Sequence, residues 1–164
     1  MSERPVRLVV NTSPLIHLAE ASLLHLLKDA APTVWVPEPV ALEIRAYGDL
    51  DPTARALAAH DWLEIQPVPA LSAQVLAWDL GLGETAVLEL ARAFPGSTAV
   101  IDDLAGRRCA EALGLSLRGT VGLVLAAKQA GRLVAARPVL ERLRDSGMYL
   151  SDAVLQRALL RVGE

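Results

Sequence analysis

The chain contains 164 residues, 52% of them apolar, and carries a formal net charge of −3 at pH 7. A chain of this length suits one domain with a full hydrophobic core, so we expect a single domain over residues 1–164. No uncharged apolar run approaches the roughly 18 residues that a membrane-spanning helix needs, which excludes a transmembrane protein.

The cysteine content and the N-terminal residues indicate the compartment. The only cysteine is Cys109, so no intramolecular disulfide is expected. The first residues, MSERPVRLVVN, include Glu3 and lack the apolar core of a secretory leader. Both features favour a cytoplasmic protein. The high apolar content favours a partner surface, for a homodimer or for another protein.

Charge is distributed unevenly along the chain. Residues 1–103 hold 14 acidic and 6 basic residues, whereas residues 104–164 hold 5 acidic and 10 basic residues. Acidic residues that bind a metal would therefore come mainly from residues 1–103, and basic residues that contact phosphates mainly from residues 104–164. Ordinary solvated helix faces are the alternative explanation of this uneven distribution.

The first predicted strand is Val6–Val10, a β-branched apolar run. It ends at Asn11, and Thr12 or Ser13 is expected to cap a helix whose first position is Pro14. The apolar periodicity predicts that this helix continues to about Lys28.

The same signals predict further elements in the first half of the chain. The strands are Thr33–Val36 and an edge segment, Trp62–Val68, and the helices are Pro39–Tyr47, Thr53–His60, Ala70–Leu80 and Gly83–Phe94.

A short apolar run, Ala99–Ile101, stops at two adjacent carboxylates, Asp102 and Asp103. Carboxylates at the C-terminal end of a parallel strand lie where open α/β sheets bind ligands. Successive strand residues point to opposite faces, so one aspartate is expected in a site and the other at the cap of the next helix. The alternative is that both aspartates only cap helices.

The remaining chain reads as helices joined by one very short strand. These elements are the helix Leu104–Leu113, the strand Ser116–Leu117, and the helices Thr120–Gly131, Pro138–Ser146 and Leu150–Val162. Alternating strands and helices predict a three-layer α/β/α fold with a mostly parallel sheet of about five strands.

Polar residues at strand ends and helix starts form a candidate metal site: Asn11, Glu43, Glu84, Asp102 and Asp103. Strand ends in a parallel sheet share one crevice, where gathered carboxylates repel each other. A hard cation such as Mg²⁺ relieves that repulsion and can activate water for phosphodiester cleavage. The competing interpretation is that Glu43 is a solvated helix residue and Glu84 an ordinary first-turn charge. The three histidines lack metal-ligand spacing.

Five segments, taken together, resemble the ordered blocks of PIN-domain proteins, most closely the DUF3368 group. In chain order they are VVNTSPLIHLAE, VPEPVALEI, GLGETAVLELA, AVIDDLAGRRCAEALGL and GTVGLVLAAKQAG. The similarity extends from about Val6 to Leu160.

The resemblance implies a Mg²⁺- or Mn²⁺-dependent endoribonuclease, of which many small bacterial relatives are VapC-type toxins neutralised by an antitoxin. It implies that the first family acid falls on Asn11, the second on Glu43, the third on Glu84 and the last on Asp102 or Asp103. Thr12 or Ser13 matches the small hydroxyl that commonly follows the first acid, and we include both with the substrate-binding residues.

The chain departs from the family pattern at Asn11, where PIN nucleases usually carry Asp. An amide oxygen can bind a hard cation but brings no charge, so weaker metal binding is expected. A catalytically weakened module that binds RNA or protein is therefore the alternative function. A nucleotide-binding domain ranks lower because no Gly-rich phosphate loop follows the first strand.

Basic residues near the aspartate pair are the candidate substrate contacts: Arg107, Arg108, Arg118 and Lys128. Guanidinium groups match phosphate oxygens, and positive charge beside a metal attracts an RNA backbone. The alternative is that Arg107 and Arg108 pair with Glu111 or face solvent.

Overall fold

A five-stranded parallel sheet forms the centre of the computed structural model, which describes residues 4–164. The strands, in chain order, are β1 (Arg7–Val10), β2 (Thr33–Pro37), β3 (Leu63–Gln66), β4 (Ser97–Val100) and β5 (Ser116–Arg118). They lie in the order β3-β2-β1-β4-β5, and every neighbouring pair is parallel. The predicted α/β fold is confirmed.

Ten helices surround the sheet within residues 4–164. They are α1 (Thr12–Glu20), α2 (His25–Ala30), α3 (Glu38–Arg45), α4 (Pro52–Ala59), α5 (Ala73–Leu76), α6 (Leu82–Ala93), α7 (Leu104–Ala112), α8 (Thr120–Gln129), α9 (Arg137–Asp145) and α10 (Asp152–Leu160). None of these described helices has the length and apolarity that crossing a membrane requires.

The central strands are buried on both faces. In β1, residues 8–10 are completely buried, and so are residues 99–101 at the end of β4. Crossovers between parallel strands are almost always right-handed, so segments of the chain that move in opposite directions across a sheet cover its opposite faces. Accordingly, α2 packs on α8, whereas α6 packs on α7.

The sheet reverses its winding direction between β1 and β4. The chain runs outward from β1 to β2 and β3, then crosses to β4 on the other side of β1. The junction is close, since the Asn11 N–H donates to the Val100 carbonyl at 3.1 Å. Such a switch point opens a crevice at the carboxyl ends of the strands, which is the usual ligand position in open α/β sheets.

The single helix predicted from Pro14 to about Lys28 is wrong, because two helices replace it. Ser22 has a left-handed backbone with φ of 56°. The Ser22 N–H bonds to the Ala19 carbonyl and the Leu23 N–H to the Leu18 carbonyl, so α1 ends in a Schellman motif. The leucines on both sides of the break are buried, which is why their spacing resembled one continuous helix.

The helix predicted over Ala70–Leu80 is much shorter than expected. Only α5 is helical, and it begins at the Ser72 cap, whose hydroxyl accepts from the Val75 N–H. The Ser72 N–H and hydroxyl both donate to Glu89 on α6. A hydrogen bond to a neighbouring helix therefore fixes this start, and Asp79, with φ of 50°, follows the end.

Glu164 caps α9, and this cap leads to a pH-dependent prediction. The Ala136 and Arg137 N–H groups donate to its carboxylate, and these backbone bonds, that of Ala136 foremost, lower the pKa of Glu164. Because the pKa of Glu164 is lower in the folded protein than in the unfolded chain, the cap stabilises the fold fully above the unfolded pKa of about 4.5. This stabilisation is lost as the pH falls through the folded pKa. Glu164→Ala should lower the melting temperature at pH 7 by more than it does at pH 3. Thermal melts with Glu111→Ala as an exposed control test this, and an equal loss at both pH values would contradict it.

Candidate functional site

The predicted acid site forms around Asn11 at the carboxyl end of β1. Asn11 is 2% exposed, and its Nδ2 donates a hydrogen bond to Glu84 Oε1 at 3.2 Å. Thr12 Oγ1 donates to Glu43 Oε2 at 2.8 Å. Glu43 lies on α3 and Glu84 in the first turn of α6, and α3 packs against both α1 and α6. Folding therefore brings together side chains up to 73 residues apart in sequence.

The close approach of α6 depends on Gly83. A Cβ at this position would lie 2.9 Å from Asn11 Oδ1 and 3.7 Å from Glu43 Oε2. Both oxygens therefore face the same point on the α6 backbone. A side chain at Gly83 would push one of them aside, so the geometry of the site requires glycine here.

Asn11, Glu43 and Glu84 line a cavity of about 660 Å³, the acid cavity. Leu42 and Leu82 also line it, and they are 65% and 79% exposed. Two exposed leucines therefore flank the cavity, whose oxygen-bearing groups range from the buried Asn11 through the half-buried Glu84 to the exposed Glu43.

The predicted capping role of Thr12 or Ser13 is wrong. Asn11 occupies the N-cap of α1, and no side chain makes a capping hydrogen bond there. The Thr12 hydroxyl donates to Glu43 instead, because the residue is buried and turned toward α3. Ser13 is exposed and lines the acid cavity.

Asp102 and Asp103 each hold the start of a helix. Asp102 accepts from the Thr120 N–H at 2.7 Å and from the Thr120 hydroxyl at 2.6 Å, which fixes the first turn of α8. Asp103 is the N-cap of α7, as predicted for one of the pair, and accepts from the Gly106 N–H. Both aspartates cap helices, which is the alternative that the sequence left open.

The aspartate pair opens onto a second and larger cavity of about 1200 Å³, the basic groove. Ser13 lines both cavities, so they adjoin at the start of α1. Four arginines line the groove: Arg107, Arg118, Arg157 and Arg161.

The structure separates the predicted basic contacts. Arg107 lines the groove and donates to the Ile101 carbonyl at 3.0 Å, so it pairs with backbone rather than with Glu111. Arg108 is exposed and lines neither cavity. Lys128 donates to the Val134 carbonyl at 2.7 Å, roughly 12 Å along α8 from Thr120. Lys128 is therefore outside both cavities.

Sequence reasoning missed the contribution of the C-terminal helix to the groove. Arg157 and Arg161 come from α10 and its end, and Tyr149 comes from the segment before it. His17 of α1, whose spacing pointed to no role, also lines the groove. The excess of basic residues after residue 103 was the available signal.

The single thiol takes no part in this site. Cys109 is completely buried on α7, and burial, with the Glu89 carboxylate as a second cause, raises the pKa of its thiol. A buried thiol with a raised pKa is a poor nucleophile.

The donors of the acid cavity fit a hard divalent cation in kind. Amide, carboxylate and hydroxyl oxygens are the ligands that Mg²⁺ and Mn²⁺ take, and two carboxylates balance a charge of two. Within residues 4–164, however, no group of three His, Cys, Asp or Glu side chains is close enough to hold a metal. The uncharged Asn11 lies beside Glu84, and Asp102 and Asp103 accept hydrogen bonds from the first turns of α8 and α7.

The comparison with protein families places the chain in one of them. A family model, DUF3368, described as a PIN domain, matches residues 7–164, which is nearly the whole chain. No curated protein matches the sequence.

Proposed function

Since the chain belongs to the PIN-domain family, whose members are generally nucleases, we propose that it is a metal-dependent endoribonuclease. The single observation that carries this proposal is the meeting of Asn11, Glu43 and Glu84 at the switch point of the sheet. Glu84 accepts from the buried Asn11 amide and Glu43 accepts from the neighbouring Thr12 hydroxyl, and a cation site explains why the two carboxylates gather at this point.

Asn11, Glu43 and Glu84 would hold Mg²⁺ or Mn²⁺ through their side-chain oxygens. The bound ion would supply an activated water and stabilise the negative charge that develops on the cleaved phosphate. The predictions that Asp102 or Asp103 binds metal or takes part in catalysis stay predictions.

Two hydrogen bonds orient the carboxylates of Glu43 and Glu84 in the acid cavity. The Thr12 hydroxyl holds one oxygen of Glu43, and the Asn11 amide holds one oxygen of Glu84.

Asp102 and Asp103 fix the first turns of α8 and α7 beside the groove. Ser13, exposed between the two cavities, is the hydroxyl best placed to contact a phosphate that spans them.

We also propose that the chain is the toxin of a VapBC-type pair and that it forms a homodimer in the cytoplasm. The apolar rim made by Leu42 and Leu82 supports a protein partner, because exposed apolar groups around a site are favourable to cover. A small antitoxin-like reading frame directly upstream would support the toxin role. Light scattering that shows only monomer at tens of micromolar would contradict the homodimer.

The second candidate function is a weakened PIN domain that binds RNA or protein without cutting. The uncharged Asn11 and the lack of a three-carboxylate group among the described residues favour it. Both functions predict RNA binding, so only a cleavage assay separates them.

We expect the purified protein to cleave a structured RNA in Mn²⁺ and cleavage to stop when EDTA removes the metal. Without the cation, no group of the acid cavity lowers the pKa of the attacking water or balances the charge that develops on the phosphate. Gel analysis of an end-labelled RNA checks this. Bound but uncut RNA at saturating Mn²⁺ would favour the second candidate and contradict the ribonuclease.

A further inference from the structure

A third cavity, the rear cavity, lies between α2 and α8 and has a volume of about 380 Å³. Such a volume lies within the range of small-molecule binding sites. Arg4 and Pro5, which line it, precede β1, so this part of the rear cavity lies at the amino end of β1. The acid cavity lies at the carboxyl end of the same strand, and the two cavities share no lining residue. The rear cavity is therefore a separate site.

The lining of the rear cavity is apolar along both helices. Its apolar residues include Leu26 of α2 and, along α8 and its C-cap, Leu123, Ala126, Ala127 and Ala130. The α8 positions extend over seven residues, which is roughly 10 Å of helix. Because alanine side chains are short, they leave this space open beside α8. The lining therefore favours a ligand with an apolar body.

The charge of the rear cavity is positive. Three guanidinium groups line it, those of Arg4, Arg118 and Arg132, and no acidic residue lines it within residues 4–164. Arg4 is held in place because its Nε and Nη2 donate to the carbonyls of Ala30 and Asp29, at 3.4 and 3.1 Å. Neither of the ion pairs found in residues 4–164 includes one of the three arginines. The described chain therefore supplies no counter-ion to this cavity.

Arg118 is the arginine that most needs an anion. It is half-buried, and a Cβ at Gly122 would lie 3.9 Å from its Cβ and 4.0 Å from its Cγ, so its stem lies against α8. Burial lowers the pKa of the Arg118 guanidinium, although arginine stays protonated in proteins. A partly desolvated cation without a counter-ion is stabilised by an anion that binds beside it.

We propose that the rear cavity binds a small organic acid, with its carboxylate on the arginines Arg118 and Arg132 and its apolar body against α8. The guanidinium fork matches the planar carboxylate, and the apolar body covers the leucine and alanine side chains. A bare inorganic anion would leave the apolar lining uncovered, and a neutral apolar molecule would leave the guanidinium groups unpaired. The site requires neither RNA nor metal, so it stands apart from the proposed ribonuclease function.

The experiment titrates the full chain in EDTA with octanoate, a linear carboxylate, and measures binding by calorimetry. We expect a single class of site at millimolar octanoate or below. Octanamide has the same chain without the charge, and acetate has the charge without the apolar body. Each should bind at least about tenfold more weakly than octanoate, because each satisfies only one half of the cavity.

Three variants separate the charge from the apolar lining. Arg118→Leu should weaken octanoate binding at least about tenfold, because it removes the desolvated charge and keeps an apolar stem against α8. Arg132→Ala should weaken it about threefold, because Arg132 is exposed and water screens its attraction. Ala126→Leu should weaken it at least about tenfold, because leucine fills the space for the apolar body while every charge stays. Arg132→Ala and Ala126→Leu should keep the wild-type melting temperature, so they test the site even if Arg118→Leu unfolds.

Arg157→Ala is the matched control. Arg157 is exposed and lines the basic groove, to which Arg118 also contributes, but it does not line the rear cavity. The control should bind octanoate as the wild type does, and weaker binding would place the anion in the groove and overturn the proposal. The proposal would also be overturned by octanamide or acetate binding as tightly as octanoate, by no octanoate binding at millimolar concentration, or by unchanged affinity in both Arg132→Ala and Ala126→Leu.

Discussion

Glu43→Gln is expected to reduce Mn²⁺-dependent RNA cleavage by at least about 100-fold. The substitution removes one of two carboxylates in the acid cavity and keeps the size of the side chain and an oxygen that accepts from Thr12. A unit charge at about 4 Å is worth up to about 4 kcal/mol at an effective dielectric of 20, and 1.36 kcal/mol is tenfold in rate. Because glutamine keeps the size of the side chain and its hydrogen bond with Thr12, the expected loss of cleavage comes from the lost charge and not from unfolding.

Glu38→Gln is the matched control for this variant. Glu38 lies on the same helix, α3, and does not line the acid cavity. We expect it to cleave as the wild type does. Glu84→Gln should resemble Glu43→Gln, and the double variant should be little worse than either single, because residues that act as a unit are not additive. Undiminished cleavage by both single variants would remove the assignment of the site.

Asn11→Asp is expected to tighten Mn²⁺ binding at least about tenfold. The change adds a carboxylate beside Glu84, in a position that is almost fully buried. Its attraction for a cation is offset in part by carboxylate repulsion, so the gain is below the full value of about 4 kcal/mol at an effective dielectric of 20.

The same substitution has a second effect without metal. The Asn11 amide no longer donates to Glu84, and two carboxylates face each other in a buried site. The metal-free variant should therefore melt below the wild type, and Mn²⁺ should raise its melting temperature by more than it raises that of the wild type. Calorimetry and thermal melts check both effects. Equal or weaker Mn²⁺ affinity would count against Asn11 as a residue of a metal site.

The sequence was informative where local chemistry and sheet topology coincide. β-branched runs ending at Asn11 and at Asp102 located two central strands, and a parallel sheet then required their ends to meet. Glu84 could be assigned to that crevice because it lies in the first turn of α6, whereas Glu43 lies in the second half of α3, and its assignment depended on the resemblance to PIN-domain proteins.

Other features depend on tertiary packing that local patterns do not contain. The break at Ser22 was hidden because the leucines on both sides are buried. The capping of α8 by Asp102 joins residues 18 positions apart, and the contribution of Arg157 to the groove depends on where α10 docks. Lys128 lies outside both cavities because the length of α8 separates it from the aspartates, so its role as a substrate contact stays a prediction.

The most direct test of the central claim is a crystal soaked in Mn²⁺ and measured at an X-ray energy where manganese scatters anomalously. We expect an anomalous peak in the acid cavity, from an ion held by Glu43 and Glu84 with the Asn11 oxygen. An empty cavity at the Mn²⁺ concentration that supports cleavage, or a peak elsewhere on the molecule, would contradict the proposed metal site.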